Sequence, residues 1–286
     1  MNTTTTTRPR SVRASGTTLT QANAQWESRP ADQRFGSLAA MLAVADHDKT
    51  TATVAEIKAN ALRAIARGPD IAIEGEGIMG GALTNWSFGQ LAHIAKAPAA
   101  YLRTLSPKLA AAAINEGLDK HADAYTQEDG EGRQLLFSGK GKDLTARAIT
   151  SQKYGRVWNV DLIRELMKLE ASGPWQPAPE AFDGSRGLYL GDRDMFAFMV
   201  DNERRIFETD KGGGLGRGFF LTNNEVGGGA FNILSFLYEY VCGNHRVWGA
   251  QQIEETRVIH IGGGRHEKVL ETLGRELVRY AGASAK

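Results

Sequence analysis

The stretch Arg217–Gly249, RGFFLTNNEVGGGAFNILSFLYEYVCGNHRVWG, sets the tightest limits on how this chain can fold. It joins an apolar segment, a polar turn, three glycines and a second apolar segment without a break. Phe219, Phe220 and Leu221 read as a short buried strand, too brief to show a helical period. Thr222, Asn223, Asn224 and Glu225 place hydrogen-bonding side chains in a row, which suits a turn or a strand end. Gly227, Gly228 and Gly229 permit positive φ and let another backbone or a phosphate come close. From Ala230 the pattern predicts a buried central helix ending near Gly243. Asn232, Ser235 and Glu239 fall on one helical stripe, and Phe231, Ile233, Leu234, Phe236, Leu237, Tyr240 and Val241 cover the rest.

Elsewhere the pattern predicts a disordered, mildly basic tail over residues 1–25, followed by a single α+β domain over residues 26–286. Its first part, 26–125, reads as helix-rich. Trp26 to Val44 carries Phe35, Leu38, Met41 and Leu42 at helical spacing. Thr53 and Glu56 match a capping box, with Val54, Ile57, Ala61 and Ile65 as the helix face. Ile71–Ile73 reads as a strand, Gly75 to Gly81 as a loop, and three helices are expected to start at Thr84, Pro98 and Ser106-Pro107. The second part, 133–286, reads as strand-rich. Strands are expected at Leu135–Phe137, Ala146–Thr150, Gly187–Leu190, Met195–Val200 and Glu255–Ile261, with helices over Asp161–Glu170 and Arg265–Tyr280. The expected fold is a helical N-terminal half packed with a mixed, mainly antiparallel sheet that carries the central helix.

Composition narrows the function classes. A net charge of +1 leaves no global field to steer a polyanion, so any nucleic-acid surface must be local. The single cysteine, Cys242, excludes an internal disulfide and any multi-cysteine zinc site, and fits a reducing cytoplasm. No apolar run approaches membrane-spanning length. The Gly139–Lys142 run lacks the spacing of a phosphate-binding P-loop, and Gly212–Gly218 lacks that of a dinucleotide turn. His266-Glu267 is followed by Leu270 where a metalloprotease helix would carry its second histidine. No cofactor is expected. Cys242, His245 and His260 are too few and too irregular for a structural metal site, and Asp192 and Asp194 suit a turn between strands.

The segment Thr145–Asn159, TARAITSQKYGRVWN, interleaves Arg147, Lys153 and Arg156 with Tyr154 and Trp158. Cations alternating with rings are what a single-stranded nucleic-acid groove requires: charge follows the phosphates while rings stack on bases. The competing reading places both rings in the core with arginines at its edge. Arg217, Asn223, Asn224, His245, Arg246 and His260 are expected to converge on the glycine turn at Gly227–Gly229, where backbone N–H groups can meet anions.

At these residues the sequence resembles the phage- and plasmid-encoded proteins known as domain of unknown function 932. The pieces include Ala82-Leu83-Thr84 with Phe88-Gly89-Gln90-Leu91, then Pro98 with Tyr101-Leu102, and Arg147-Ala148-Ile149 with Ser151, Tyr154 and Asn159. They continue with Asn223-Asn224-Glu225-Val226-Gly227, Val241-Cys242-Gly243-Asn244 and His260. Asn224 stands where serine is expected in many relatives, and Gly262–Gly264 replaces a shorter turn. The resemblance implies a mobile-element protein of the bacterial cytoplasm and transfers no catalytic residue. The leading expectation is a non-enzymatic single-stranded DNA-binding or annealing protein that assembles as a homo-oligomer. The alternatives are a metal-dependent nucleic-acid enzyme using Glu225 with Asp192, Asp194 and His260, and a counter-defence protein that binds a host factor.

Overall fold

The computed structural model describes residues 7–9, 28–128, 132–178, 186–206, 215–239, 248–258 and 265–282. The first elements in chain order are β1 (Thr7–Pro9), β2 (Arg34–Phe35), α1 (Leu38–Thr51), β3 (Thr53–Ile57), β4 (Arg63–Arg67), β5 (Asp70–Gly75) and β6 (Ile78–Leu83). They are followed by α2 (Asn85–Ile94), α3 (Ala99–Leu102), α4 (Pro107–Glu128), β7 (Arg133–Ser138), β8 (Thr145–Ser151) and α5 (Asn159–Ser172). The last are β9 (Trp175–Pro177), β10 (Leu188–Leu190), β11 (Met195–Ile206), β12 (Leu215–Asn223), β13 (Phe231–Glu239), β14 (Trp248–Val258) and α6 (Arg265–Gly282). The fold is α+β with mainly antiparallel pairing, as the sequence predicts. The described residues of Met1–Asp46, Val157–His260 and Gly264–Lys286 form one compact unit, and those of His47–Arg156 form a second.

The first unit is built on a sheet ordered β1-β14-β13-β12-β11-β10-β2, with β9 also paired to β11. Strands β10, β11 and β12 bury both faces. On β11, Met195, Ala197 and Met199 join a core shared with Leu38 and Met41 of α1, Leu162 and Leu166 of α5, and Val269 and Leu273 of α6. Phe196, Phe198 and Val200 turn to the opposite face, where Phe220 and Tyr189 join them. The rings there lie 4.7–5.7 Å apart, centre to centre, in tilted pairs. This two-sided burial overturns one expectation. Phe231–Glu239 is not the central helix but β13, hydrogen-bonded between β12 and β14. Because apolar residues occupy both of its faces, the strand lacks the alternation that would have marked it. The spacing of Asn232, Ser235 and Glu239 imitates a helix instead. Thr7–Pro9, within the segment expected to be disordered, is a strand paired with β14.

In the second unit the sheet order is β3-β7-β8-β6-β5-β4, and β6 and β8 form its one parallel pair. Thr53–Arg67, read as a capped helix, is instead edge strand β3, a short 3-10 turn and strand β4. Gly75–Gly81, read as a loop, holds the β5–β6 hairpin, with Gly77 at φ 74° in its turn. The three helix starts stand where the sequence places them. The Thr84 hydroxyl accepts from the Ser87 N–H, and Pro98 occupies the N-cap position of α3. Ser87 in turn donates to the Ala146 carbonyl at 2.6 Å, which ties α2 to β8. Phe88 and Leu91 of α2, Leu102 of α3, and Ile114 and Leu118 of α4 then cover Leu135, Phe137 and Ile149 of the sheet.

Helix α4 does two further jobs. Asn115 accepts from the Ala64 N–H at 2.8 Å and donates to the Ala64 carbonyl at 2.9 Å. It thus stands in for a neighbouring strand on β4, at the end of the sheet. Gly117 lies so close to the end of α2 that a Cβ there would collide with the Ala95 carbonyl. Helix α2 closes in a Schellman turn, with the Ala97 N–H on the Ala92 carbonyl at 2.9 Å and the Lys96 N–H on that of His93 at 3.0 Å. Its left-handed position is held by Lys96, at φ 50°, where glycine would avoid a strain of roughly 1–2 kcal/mol.

Two substitutions on α4 follow from this packing. Asn115→Leu should cost about 1–3 kcal/mol, because it leaves both backbone groups of Ala64 without a partner. Gly117→Ala gains about 1 kcal/mol of helix propensity but loses about 1–3 kcal/mol to the clash, so it too should destabilise. Urea titrations followed by far-UV circular dichroism check both: the midpoints should fall, and an unchanged Gly117→Ala midpoint would refute the close approach.

Candidate nucleic-acid interface

The expected contact residues divide between the two units. Arg147, Lys153, Tyr154 and Arg156 belong to the second, and Trp158, Arg217, Asn223 and Asn224 to the first. Arg147 lies within β8, 6% exposed, with its Nη1 3.9 Å from the Asp48 carboxylate. Beyond β8 the chain turns sharply. The Ser151 carbonyl accepts from the Tyr154 N–H at 3.0 Å, and the Ser151 hydroxyl accepts from the Lys153 N–H at 3.2 Å. That turn leaves Lys153 exposed and Tyr154 half-buried. The buried Arg156 guanidinium sits 5.3 Å over the Tyr154 ring centre, a cation–π contact. Cation and ring are therefore together here, but the guanidinium is the buried member of the pair.

In the first unit the polar turn has a different occupation. Helix α5 starts after Trp158, whose side chain supplies no cap and packs half-buried against the core. The cap comes from far along the chain. Glu225 Oε1 accepts from the Asn159 N–H at 2.6 Å, which places a carboxylate at the positive end of the helix. The Asn223 amide donates to the Val157 carbonyl at 2.9 Å and to Asn159 Oδ1 at 2.7 Å. Asn224 Oδ1 accepts from the N–H groups of Val226 at 3.0 Å and Gly228 at 2.7 Å, so the side chain closes the turn itself. Asn223, Asn224 and Glu225 are all buried. The backbone amides of Val226 and Gly228 are directed at Asn224.

Arg217 has a comparable fate. It lies directly opposite Asp201 across the β11–β12 ladder, and its Nη2 meets Asp201 Oδ2 at 2.6 Å. Trp175 of β9 pairs with Asp201 from the other side, and the Arg217 guanidinium lies 5.9 Å from the Trp175 ring centre. Arg217 is 5% exposed and Asp201 fully buried. A guanidinium so placed neutralises an interior carboxylate.

His245 and Arg246 lie outside the described residues, as do Cys242 and His260. Asp194 accepts from Arg29 at 2.7 Å, and Asp192 is exposed. Among the described residues no group of three or more His, Cys, Asp or Glu is placed to hold a metal ion, and no helix is long and apolar enough to cross a membrane. One exposed combination lies outside the residues singled out by sequence. Tyr101 stands 61% exposed in a region that also carries Lys96, Arg103 and Lys108. The available signal was the absence of any Asp or Glu from Gly77 to Asn115. No family model, curated protein or solved structure matches the chain.

These contacts predict how the first unit responds to substitution. Arg217→Ala or Asp201→Ala should each cost about 3–5 kcal/mol, because either leaves a buried charge unpaired. The double variant should lose less than the sum. Glu225→Gln keeps an acceptor for Asn159 and should be milder than Glu225→Ala, which should cost about 1–3 kcal/mol. Denaturant melts of the five proteins read these directly, and strictly additive losses at positions 201 and 217 would refute the ion pair.

Proposed function

We propose that the chain is a single-stranded DNA-binding or annealing protein of a phage or plasmid, working in recombination or replication without a catalytic centre of its own. The observation that carries this reading is the turn after β8, where exposed Lys153 precedes half-buried Tyr154 and the Arg156 guanidinium packs over the Tyr154 ring. A ring packed against a buried cation is restrained in orientation, and a restrained ring stacks on a base at little entropic cost. Lys153 next to it is placed for a phosphate. The polar turn at Asn223–Glu225 takes no direct part in this reading, because its side chains cap α5 and close their own loop. Glu225 is likewise committed to the Asn159 N–H, which weighs against its use as a metal ligand or general base. Homo-oligomeric assembly in the cytoplasm belongs to the same reading.

Fluorescence anisotropy of the whole protein with labelled oligo(dT), across a salt series and without metal or nucleotide, tests it. Binding should be tight at low salt and weaken as salt rises. Lys153→Glu should flatten the slope of log K against log salt by about 0.7 or more. Tyr154→Ala should weaken binding roughly 5- to 100-fold, the worth of one stacked base. An oligonucleotide that stays unbound at low salt sinks the proposal.

A further inference from the structure

We infer that the end of α2, the short helix α3 and the first turn of α4 form a second contact surface for a single nucleic-acid strand, with Tyr101 as the stacking ring and Lys96, Arg103 and Lys108 as phosphate partners. The inference rests on the reading of the protein as a single-strand binder and assigns it a surface the sequence did not suggest. Four large apolar side chains are exposed among the described residues, and Tyr101 is the aromatic one. Leu109, another of the four, follows Lys108. All three cations are exposed, and they project from three consecutive helix ends joined by tight turns.

The segment that carries them is one-sided in charge. No Asp or Glu occurs between Gly77 and Asn115, and the first acid beyond, Glu116, is paired with Lys120 at 2.5 Å. Arg103 is steadied from below. Its Nη2 donates to the Asn85 carbonyl at 2.8 Å, and its guanidinium lies 4.9 Å over the Phe88 ring. Lys96 occupies the left-handed position that ends α2, so an ammonium stands where the backbone itself would favour glycine. An acidic peptide would use the cations and leave the ring idle, and a duplex would offer phosphates but no unstacked base. A single strand uses both.

The test is anisotropy of the whole protein with labelled oligo(dT) and with an abasic oligonucleotide of equal length, beside a thermal melt of every variant. Tyr101→Ala should weaken oligo(dT) binding roughly fivefold or more, leave the melting temperature unchanged and abolish the preference for dT over the abasic chain. Tyr101→Phe should restore that preference. Lys96→Gly should raise the melting temperature while weakening binding, opposite signs that a purely structural lysine would not give. Lys108→Glu should weaken binding to both oligonucleotides. If the wild type binds oligo(dT) and Tyr101→Ala binds it equally well, this surface is refuted and the turn at Lys153 and Tyr154 stands. If the wild type binds neither oligonucleotide, both readings fall.

Discussion

The hydrogen bond from the Asn159 N–H to Glu225 joins chain segments 66 residues apart, and much of the first unit is arranged around it. A helix beginning at Asn159 has backbone donors without intrahelical acceptors, and Trp158 has no side-chain oxygen to offer them. The strand end at Asn223–Glu225 supplies the acceptor, and Asn223 holds the approach to the helix through Val157 and Asn159. Helix α5 is thereby fixed at its first turn, and Leu162 and Leu166 reach the core from a set starting point. The same constraint explains why the most conspicuous polar motif in the sequence is buried. Its groups are consumed in joining a helix to a sheet.

The arginines follow a related logic. A guanidinium is costly to bury unless its charge is met, and Arg217 is met by Asp201 across a strand pair with Trp175 alongside. Releasing it to a phosphate would strand Asp201 without its counter-charge. Arg156 instead lends its charge to the Tyr154 ring. Burial thus divides cations that look alike in the sequence into those that hold the fold and those that can act on a ligand. Lys153, Lys96, Arg103 and Lys108 are exposed, and the proposed contacts draw on these.

How much of this the sequence disclosed depended on where each signal was local. The starts of α2, α3 and α4 were legible because Thr84 and Ser106 carry hydroxyls suited to a cap and Pro98 and Pro107 fix φ where a helix begins. The hairpin of β10 and β11 was legible because Gly191–Asp194 marks its turn. Strand β13 was not, since a strand buried on both faces shows no alternation. Strand β3 was misread because Thr53 and Glu56 match a cap by spacing while lying on a sheet edge. The candidate site was legible only as residue types. Nothing near Arg217 announces that Asp201 will stand opposite it, and nothing near Glu225 announces Asn159. Both partners are set by strand register and chain crossing.

Tyr101 and its cations show the complementary case, in which the informative signal is an absence. A chain with 33 acidic residues that places none between Gly77 and Asn115 has a local field its net charge of +1 conceals. Screening makes that distinction physical. At physiological ionic strength an exposed charge is felt over about 8 Å, so acids elsewhere on the surface do little to cancel Lys96, Arg103 or Lys108. What matters to a flexible polyanion is the potential along the few nucleotides in contact, not the sum over the molecule. Near-neutrality is therefore compatible with strand binding, provided the cations lie on a surface from which acids are missing and a ring is offered among them. In the second unit the segment from the end of α2 to the first turn of α4 exposes such cations and such a ring and carries no acid of its own before Glu116.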